Sequence, residues 1–156
     1  MADKILMTPE GYQRIVKEME DLQKNQRPAI IKEIEEARAK GDLSENAEYH
    51  AARERHALIE RRISELSKKI NNAQVVDPRS VPKDRVGFGC TVVLYDVDND
   101  ETVEYMIVGE DESDPNNGKI SINSPIAQAL LGKEEGDEVE VKVPAGSRRF
   151  EIEEIR

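Results

Sequence analysis

The sequence is poor in the residues from which large cores and covalent cross-links are built. It has one cysteine, Cys90, and no tryptophan, and aromatic residues make up only 4% of its 156 residues. A single cysteine excludes an intramolecular disulfide and favours a reducing compartment. No apolar run approaches the roughly 20 residues of a membrane span, and the N-terminus lacks the apolar stretch of a signal peptide. We therefore expect a soluble, cytoplasmic protein, with no membrane partner and no single large core.

Charge is abundant but unevenly distributed along the chain. Residues 1–77 hold 14 Lys/Arg and 15 Asp/Glu, a net charge of −1, whereas residues 78–156 hold 9 and 18, a net charge of −9. An acidic second half argues against that half binding nucleic acid through phosphate contacts. The second helix of the first half carries six basic residues: Arg53, Arg55, Arg61, Arg62, Lys68 and Lys69. Glutamates are interleaved with them, which favours a solvated helix face, and nucleic-acid contact is the alternative.

The first half is organised around six residues, Gly41 to Asn46, that separate two helical patterns. Downstream of them, side chains of a heptad seam recur in alternating steps of three and four residues: Tyr49, Ala52, His56, Ile59, Ile63, Leu66, Ile70 and Ala73. Such a seam is typical of one helix lying along another, and a short connection makes the two helices antiparallel. The predicted second helix has about 30 residues, so at roughly 1.5 Å per residue the rod is about 45 Å long.

The first helix of this rod contains a change of register. Thr8 and Pro9 fit an N-cap followed by the first helical position. The seam of the first helix then shifts by one residue at Arg27-Pro28, so that Ile30 takes the place expected of residue 29. Because proline removes a helical hydrogen bond and clashes with the preceding turn, we expect a kink or a short break there.

After a proline-containing linker at residues 77–82, the pattern changes to short strands. Strands are predicted at residues 86–97, 102–108, 119–122, 138–143 and 149–155, and Ser124-Pro125 predicts a short helix that ends near Leu131. The fold class is therefore α+β, with a coiled-coil hairpin domain over residues 1–77 and an antiparallel sheet with one helix over residues 78–156.

Asp42 and Glu45, in the connection, are the main candidate site residues, and two interpretations of them remain open. Two hard carboxylate groups suit Mg²⁺, with its remaining ligands supplied from elsewhere. Alternatively, Asp-Leu-Ser-Glu has the spacing of a capping box, in which Asp42 caps the second helix and Glu45 bonds back to the cap residue. The pattern alone favours the capping box.

Other clusters give weaker signals. Asp96, Asp98 and Asp100 imitate the start of a calcium loop, but Glu101 and Ile107 stand where that loop needs glycine and glutamate, so we predict a polar turn. The two histidines, His50 and His56, lie six residues apart rather than the four that let two histidines on one helix share a metal. The residues alone do not indicate a complete enzyme active site.

Several segments resemble the bacterial Gre transcript cleavage factors. The resemblance covers residues 7–155, and its GreA type is the closest fit, because the rod lacks the denser basic patch associated with the GreB type. The segments that carry it are Met7–Gly11, Arg27–Ile31, Ala37–Arg38, Gly41–Glu54, Ala73–Asp77, Ile122–Ala127 and Leu131–Glu134.

This resemblance implies an FKBP-like second domain that docks on RNA polymerase, through a segment that includes Ser124 and Pro125. It also implies a coiled coil that enters the secondary channel of the polymerase and stimulates the polymerase's own cleavage of backtracked RNA. The factor would then be a monomeric activator that meets the nascent RNA 3′ end, rather than an enzyme in its own right.

The resemblance also assigns roles at the tip. Asp42 and Glu45 would help to hold the second Mg²⁺ of the polymerase active site and orient the attacking water. Asn46 and Tyr49 would shape the tip, and Arg53 would contact the extruded RNA or brace the acidic loop.

Three alternatives to this function stay open. The first is an inhibitor of the same architecture, which enters the same channel. The second is a peptidyl-prolyl isomerase, whose site needs an aromatic pocket that the second half could build only from Phe88, Phe150, Tyr95 and Tyr105. The third is a coiled-coil scaffold, for which the charge of the tip has no function.

Overall fold

The computed structural model describes residues 4–42 and 45–156, and these form two compact units. One unit contains residues 12–73, and the other contains residues 4–11 together with residues 74–156. The boundary therefore falls near residue 74, and the N-terminal segment joins the second unit rather than the rod. The reason is strand pairing, because strand β1 (Ile5–Met7) pairs with strand β2 (Ala73–Val75).

The first unit is the predicted helical hairpin. Its elements are α1 (Pro9–Asp21), a π-helix (Leu22–Gln26), α2 (Arg27–Ala39) and α3 (Ala47–Asn71). The predicted seam is confirmed in part. The buried residues along the rod are Ile15, Leu22, Ile30, Ala37, Tyr49, Ala52, Ile63 and Leu66. The other seam residues predicted for the second helix are only half-buried: His56, Ile59, Ile70 and Ala73. Burial of side chains along this seam is what holds the two arms together.

The predicted change of register is present. Of the two outcomes predicted at Arg27-Pro28, a kink or a short break, the break is wrong. The backbone around the π-helix stays in the right-handed helical region, and the N–H of Arg27 donates to the carbonyl of Leu22. A bond that spans five residues takes up one residue more than an α-turn. That extra residue accounts for the one-residue shift of the seam, which resumes at Ile30 in α2 just after Pro28.

The second unit contains a five-stranded sheet of order β5-β4-β3-β7-β6. Its strands are β3 (Thr91–Asp96), β4 (Glu101–Val108), β5 (Lys119–Ser121), β6 (Glu138–Val143) and β7 (Gly146–Ile155). The prediction of a wholly antiparallel sheet needs one correction, because β5 pairs with β4 in parallel. Helix α4 (Pro125–Leu130) packs on the sheet around Leu94, Ile107, Phe150 and Ile152.

The segment before β3 differs from the predicted strand. Residues 86–90 are irregular, and β3 begins only at Thr91. The N–H of Val86 donates to the carbonyl of Lys133, and that of Cys90 donates to Gly87. These backbone groups are therefore not available to a strand ladder, although Cys90 is buried as expected.

Glu112 is a buried carboxylate that the sequence did not single out. It accepts hydrogen bonds from the backbone N–H groups of Thr8 (3.1 Å) and Gly109 (3.2 Å), and from the Thr8 hydroxyl. The Thr8 oxygen in turn accepts from the N–H of Gly11, which confirms Thr8 as the N-cap of α1. Glu112 thus joins Thr8, in the segment of residues 4–11, to the loop at Gly109, and both belong to the second unit.

The Asp96 cluster forms a polar turn, as predicted. The Asp96 carboxylate is fully buried and accepts from the N–H groups of Asp98 and Asn99 and from Arg148 at 2.8 Å. The hydrogen bond from Arg148, followed by that from the Asn99 side chain, lowers the pKa of Asp96 to about 2. Its oxygens are thus engaged by protein donors.

Across residues 4–42 and 45–156, none of the helices combines the length and apolarity needed to cross a membrane.

Candidate functional site at the hairpin tip

The tip of the hairpin is built from two helix ends. Helix α2 ends at Ala39, and the N–H of the next residue, Lys40, donates to the carbonyls of Ala37 and Arg38. Gly41 follows with φ of 128°. This region of backbone conformation favours glycine, so Gly41 lets the chain leave the helix sharply.

Asn46 fastens the other end of the tip. Its side-chain oxygen accepts from the N–H of Tyr49 at 3.0 Å, which makes Asn46 the N-cap of α3. Its side-chain nitrogen donates to the carbonyl of Ala37 at 2.7 Å, so the same amide joins the end of α2 to the start of α3. One side chain thereby satisfies a donor of one helix and an acceptor of the other.

The capping-box interpretation of Asp42 and Glu45 is therefore wrong. Helix α3 begins at Ala47, so the residue that caps it is Asn46 rather than Asp42. Sequence reasoning missed this because asparagine is as good a cap as aspartate, and two overlapping cap signals occur within five residues. Asp42 and Glu45 are both exposed in the connection, while Leu43 and Ser44 lie outside the described residues.

Tyr49 lies close to two guanidinium groups just behind the tip. The Cζ atoms of Arg38 and Arg53 lie 5.9 and 5.6 Å from the centre of its ring. A hydrogen bond from Arg38, supported by the positive charge of Arg53, lowers the pKa of the Tyr49 phenol. The cluster presents positive charge near the acidic loop, and Arg38 is a member that the sequence analysis did not assign.

The opposite side of the tip is closed by an ion pair. The Lys40 ammonium lies 2.9 Å from the Glu48 carboxylate, and both side chains are largely exposed. A hydrogen bond from Lys40 to Glu48 raises the pKa of the lysine. Exposed pairs of this kind contribute little to stability, so the main effect of this pair is to hold the two side chains beside each other.

Several of the basic residues of α3 are engaged within the rod. Arg55 pairs with Glu33 at 2.6 Å, and Arg62 makes two hydrogen bonds to Glu18 at 2.8 and 3.0 Å. These ion pairs join α3 to the other arm of the hairpin. For Arg55 and Arg62, this supports the solvated-face interpretation over nucleic-acid contact.

The described residues of the tip do not form a metal site by themselves. Within the described residues, no group of three or more His, Cys, Asp or Glu side chains could hold a metal ion. Asp42 and Glu45 are nevertheless two carboxylates on one exposed loop, the hard oxygen donors that Mg²⁺ prefers. The donor set fits an ion whose other ligands come from a partner.

The predicted docking residues lie at the start of α4. The Ser124 hydroxyl accepts from the N–H of Ala127 at 3.2 Å, and Pro125 is the first helical residue, as predicted. Pro125 is exposed and Ser124 is half-buried. The Ser124 side chain therefore has a structural role whatever it contacts.

The aromatic residues do not favour the isomerase alternative. Phe150 is fully buried and Phe88 nearly so, and the Arg148 guanidinium lies 4.9 Å from the centre of the Phe150 ring. The hydroxyl of Tyr95 donates to Asp100 in the adjoining turn. These side chains belong to the core or to a turn rather than to an open pocket.

Comparisons with known proteins match the chain along most of its length. A family model described as "Transcription elongation factor, N-terminal" matches residues 5–75, and one described as "Transcription elongation factor, GreA/GreB, C-term" matches residues 81–156. The chain is 53% identical over 152 residues to a protein named transcription elongation factor GreA from Thermodesulfovibrio yellowstonii, covering 97% of this chain and 96% of the relative. It is also 53% identical over 155 residues to one of the same name from Nitratiruptor sp., covering 99% and 94%. A solved structure of the transcription factor Gfh1 is 28% identical, with a TM-score of 0.49 and coverage of 100% and 99%.

Proposed function

The chain belongs to the GreA/GreB family of transcription elongation factors, and on this premise we propose how it acts. It binds RNA polymerase through the secondary channel and stimulates the polymerase's own endonucleolytic cleavage of backtracked nascent RNA. Cleavage produces a new RNA 3′ end in register with the active site, which rescues the arrested complex. The factor acts as a cytoplasmic monomer and is an activator rather than a complete enzyme.

The observation that carries this proposal is that Asn46, rather than either acidic residue, caps the helix at the tip. Asn46 caps α3 and bonds to Ala37, so the fold of the tip does not depend on Asp42 and Glu45 as caps. Both acidic residues are exposed at the end of a hairpin. Two carboxylates held at the end of a rod and not used as helix caps are suited to act on something outside the chain.

We propose that this target is the catalytic centre of the polymerase, where Asp42 and Glu45 complete the coordination of the second Mg²⁺. When bound, such an ion activates the attacking water and stabilises charge on the cleaved phosphate. The two carboxylates add ligands and accept hydrogen bonds from the water, which orients it. A docked rod supplies them at a high effective concentration and in a fixed orientation.

The residues behind the loop serve binding and orientation. Asn46 holds the two ends of the loop together, and the Tyr49 ring contacts both Arg38 and Arg53. In the proposed complex, Arg53 contacts a phosphate of the extruded RNA, for which a guanidinium supplies charge and hydrogen-bond donors. The RNA is thus positioned beside the loop that carries the carboxylates.

The second unit docks at the rim of the channel. We propose that the segment at Ser124 and Pro125 contributes to this contact, because Pro125 is exposed at a turn whose backbone is fixed by the Ser124 cap. A rigid turn loses little conformational freedom on binding.

The test is the double substitution Asp42→Asn with Glu45→Gln, in a cleavage assay on backtracked polymerase. It removes both negative charges and leaves the Asn46 cap in place, so folding should be unchanged. We expect the variant to compete with the wild-type factor for polymerase and to have lost stimulation of cleavage.

A matched control removes the same charge elsewhere on the rod. Glu20→Gln with Glu54→Gln changes two exposed glutamates away from the tip and should stimulate cleavage like the wild type. If the tip variant cleaves as well as this control, the carboxylates have no role in the reaction.

A further inference from the structure

Gln128 bonds to the loop that precedes its own helix. It is an exposed residue of α4, and its side-chain nitrogen donates to the carbonyl of Ile122 at 2.7 Å. Side chains on a helix lean toward its N-terminus, so a glutamine one turn after the cap residue Ser124 can reach the loop before the helix. The bond joins the solvent side of α4 to the loop between β5 and α4.

This loop contains the proposed docking residues, and we call residues 122–125 the docking turn. The N–H of Ile122 donates to the last residue of β4 at 2.8 Å. The N–H of Asn123 donates to the hydroxyl of Ser121 at 3.1 Å, and that of Ser124 to the carbonyl of Ser121 at 2.9 Å. The fourth residue of the turn is a proline and has no N–H. Every backbone donor of the docking turn is therefore engaged within the second unit.

Gln128 completes this arrangement on the acceptor side. The peptide group between Ile122 and Asn123 is fixed by two side chains, because its carbonyl accepts from Gln128 and its N–H donates to Ser121. The second of these bonds is the longer one. Without the glutamine amide, this peptide group would be held by the 3.1 Å bond to Ser121 alone.

Helix α4 itself does not need the Gln128 side chain. Ala127 and Leu130 are fully buried in the core of the second unit, and they hold the helix against the sheet. The hydrogen bond of Gln128 is exposed, and a bond that exchanges with water adds little net stability. Its main effect is therefore on the conformation of the docking turn.

We propose that Gln128 is a positioning residue for docking, which holds the docking turn in the conformation that RNA polymerase binds. The inference rests on the proposed function, in which the segment at Ser124 and Pro125 contacts the polymerase. A turn that is already ordered in the free factor loses less conformational freedom on binding. Gln128 thus acts on the affinity for polymerase and not on the cleavage step at the other end of the molecule's reach, the tip.

The experiment measures cleavage of backtracked RNA as a function of the concentration of the full-length factor. Gln128→Met keeps the length of the side chain and removes the donor. The concentration needed for half-maximal stimulation should rise about three- to tenfold, the effect of one hydrogen bond. The rate at saturating factor and the midpoint of urea unfolding should match the wild type. A lower rate at saturation, or a lower unfolding midpoint, would overturn the assignment.

Two kinds of control accompany this variant. Gln128→Lys keeps a donor that can reach the Ile122 carbonyl, so it should restore most of the affinity. Gln74→Met and Gln74→Lys make the same changes at another exposed glutamine of the second unit, and both should bind as the wild type does. Failure of Gln128→Lys to restore binding would count against the bond to Ile122.

Hydrogen exchange on the free factor tests the positioning role directly. In Gln128→Met, the amides of Asn123 and Ser124 should exchange faster than in the wild type. The amide of Leu131, which donates to Ala127 at the end of α4, should be unchanged. If Gln128 instead contacted polymerase itself, affinity would fall while the exchange of Asn123 and Ser124 stayed the same, and the positioning role would be wrong.

The outcomes separate this inference from the proposed function. If the wild-type factor neither binds polymerase nor stimulates cleavage, the proposed function fails. If the wild type does both, and Gln128→Met reaches half-maximal stimulation at the wild-type concentration, only the role of Gln128 fails.

Discussion

The side-chain nitrogen of Asn46 donates to the carbonyl oxygen of Ala37 at 2.7 Å, across the connection between the two helices. The same amide caps α3 through the N–H of Tyr49. One residue therefore closes the loop that carries Asp42 and Glu45.

Removing the Asn46 amide should impair cleavage more than it impairs folding. Asn46→Ala loses an N-cap worth about 1 kcal/mol, which a hairpin with a long seam can tolerate. Because the two ends of the loop are then no longer joined, we expect stimulation of cleavage to fall roughly tenfold or more. The measurements are the rate of cleavage at saturating factor and hydrogen exchange of the Tyr49 amide.

Asn46→Asp separates the two bonds of this residue. Aspartate keeps an acceptor for the N–H of Tyr49 and loses the donor to Ala37. The rate of cleavage with this variant should therefore lie between the rates with Asn46→Ala and with the wild type. Wild-type cleavage by Asn46→Ala would show that closure of the loop is not required.

The stability of the second unit should depend on pH through Asp96. Its folded pKa is about 2, below its ordinary value of 3.8, mainly because of the hydrogen bond from Arg148. A lowered folded pKa stabilises the fold above the unfolded pKa, and this contribution is lost as pH falls through the folded one. We therefore expect the stability difference between the wild type and Asp96→Asn to shrink between about pH 4 and pH 2.

Urea unfolding followed by circular dichroism at several pH values in this range measures that difference. Asp84→Asn, which removes an exposed carboxylate, controls for the loss of one negative charge. A difference that stays constant down to pH 2 would mean that the Asp96–Arg148 contact does not lower the pKa as the geometry requires.

Glu112 should be among the most sensitive polar positions of the second unit. Its carboxylate accepts from the N–H groups of Thr8 and Gly109 and from the Thr8 hydroxyl in a buried setting. Hydrogen bonds to a charged group contribute about 1.5–3 kcal/mol, so Glu112→Ala should lower the free energy of unfolding by about 2–3 kcal/mol. Urea unfolding at pH 7 provides the measurement.

The neighbouring residue offers the control. Glu110→Gln changes an exposed acid in the same turn and should alter stability by less than about 0.5 kcal/mol. Equal effects of the two substitutions would indicate that Glu112 does not stabilise the start of α1.

The sequence is most informative where a feature repeats or is local. The heptad steps from Tyr49 to Leu66 predict the buried side of α3, because every step adds to the same periodic signal. The Ser124-Pro125 start of α4 is predicted equally well, since a cap and its helix lie within a few residues. The register shift near Pro28 is also visible in the sequence, because apolar spacing records one extra residue.

Features that depend on distant residues are not visible in the same way. Strands β1 and β2 have three residues each, too few to show alternation of apolar and polar side chains. They pair with each other although the sequence of the hairpin separates them. The contact between Thr8 and Glu112 joins positions 104 residues apart. At the tip, the sequence identifies the acidic residues but not the true cap, because Asp42 and Asn46 are equally good cap residues. The second bond of Asn46, to Ala37 in the other helix, is not visible in the sequence.

The most direct test of the account is the dependence of RNA cleavage on Mg²⁺ concentration, measured on backtracked polymerase with saturating factor. If Asp42 and Glu45 help to hold the second ion, the wild-type factor lowers the Mg²⁺ concentration needed for half-maximal cleavage. With the Asp42→Asn, Glu45→Gln variant, the Mg²⁺ concentration for half-maximal cleavage should then equal the value measured without any factor. If the variant lowers it as far as the wild type does, the carboxylates do not act on the metal, and the central claim is wrong.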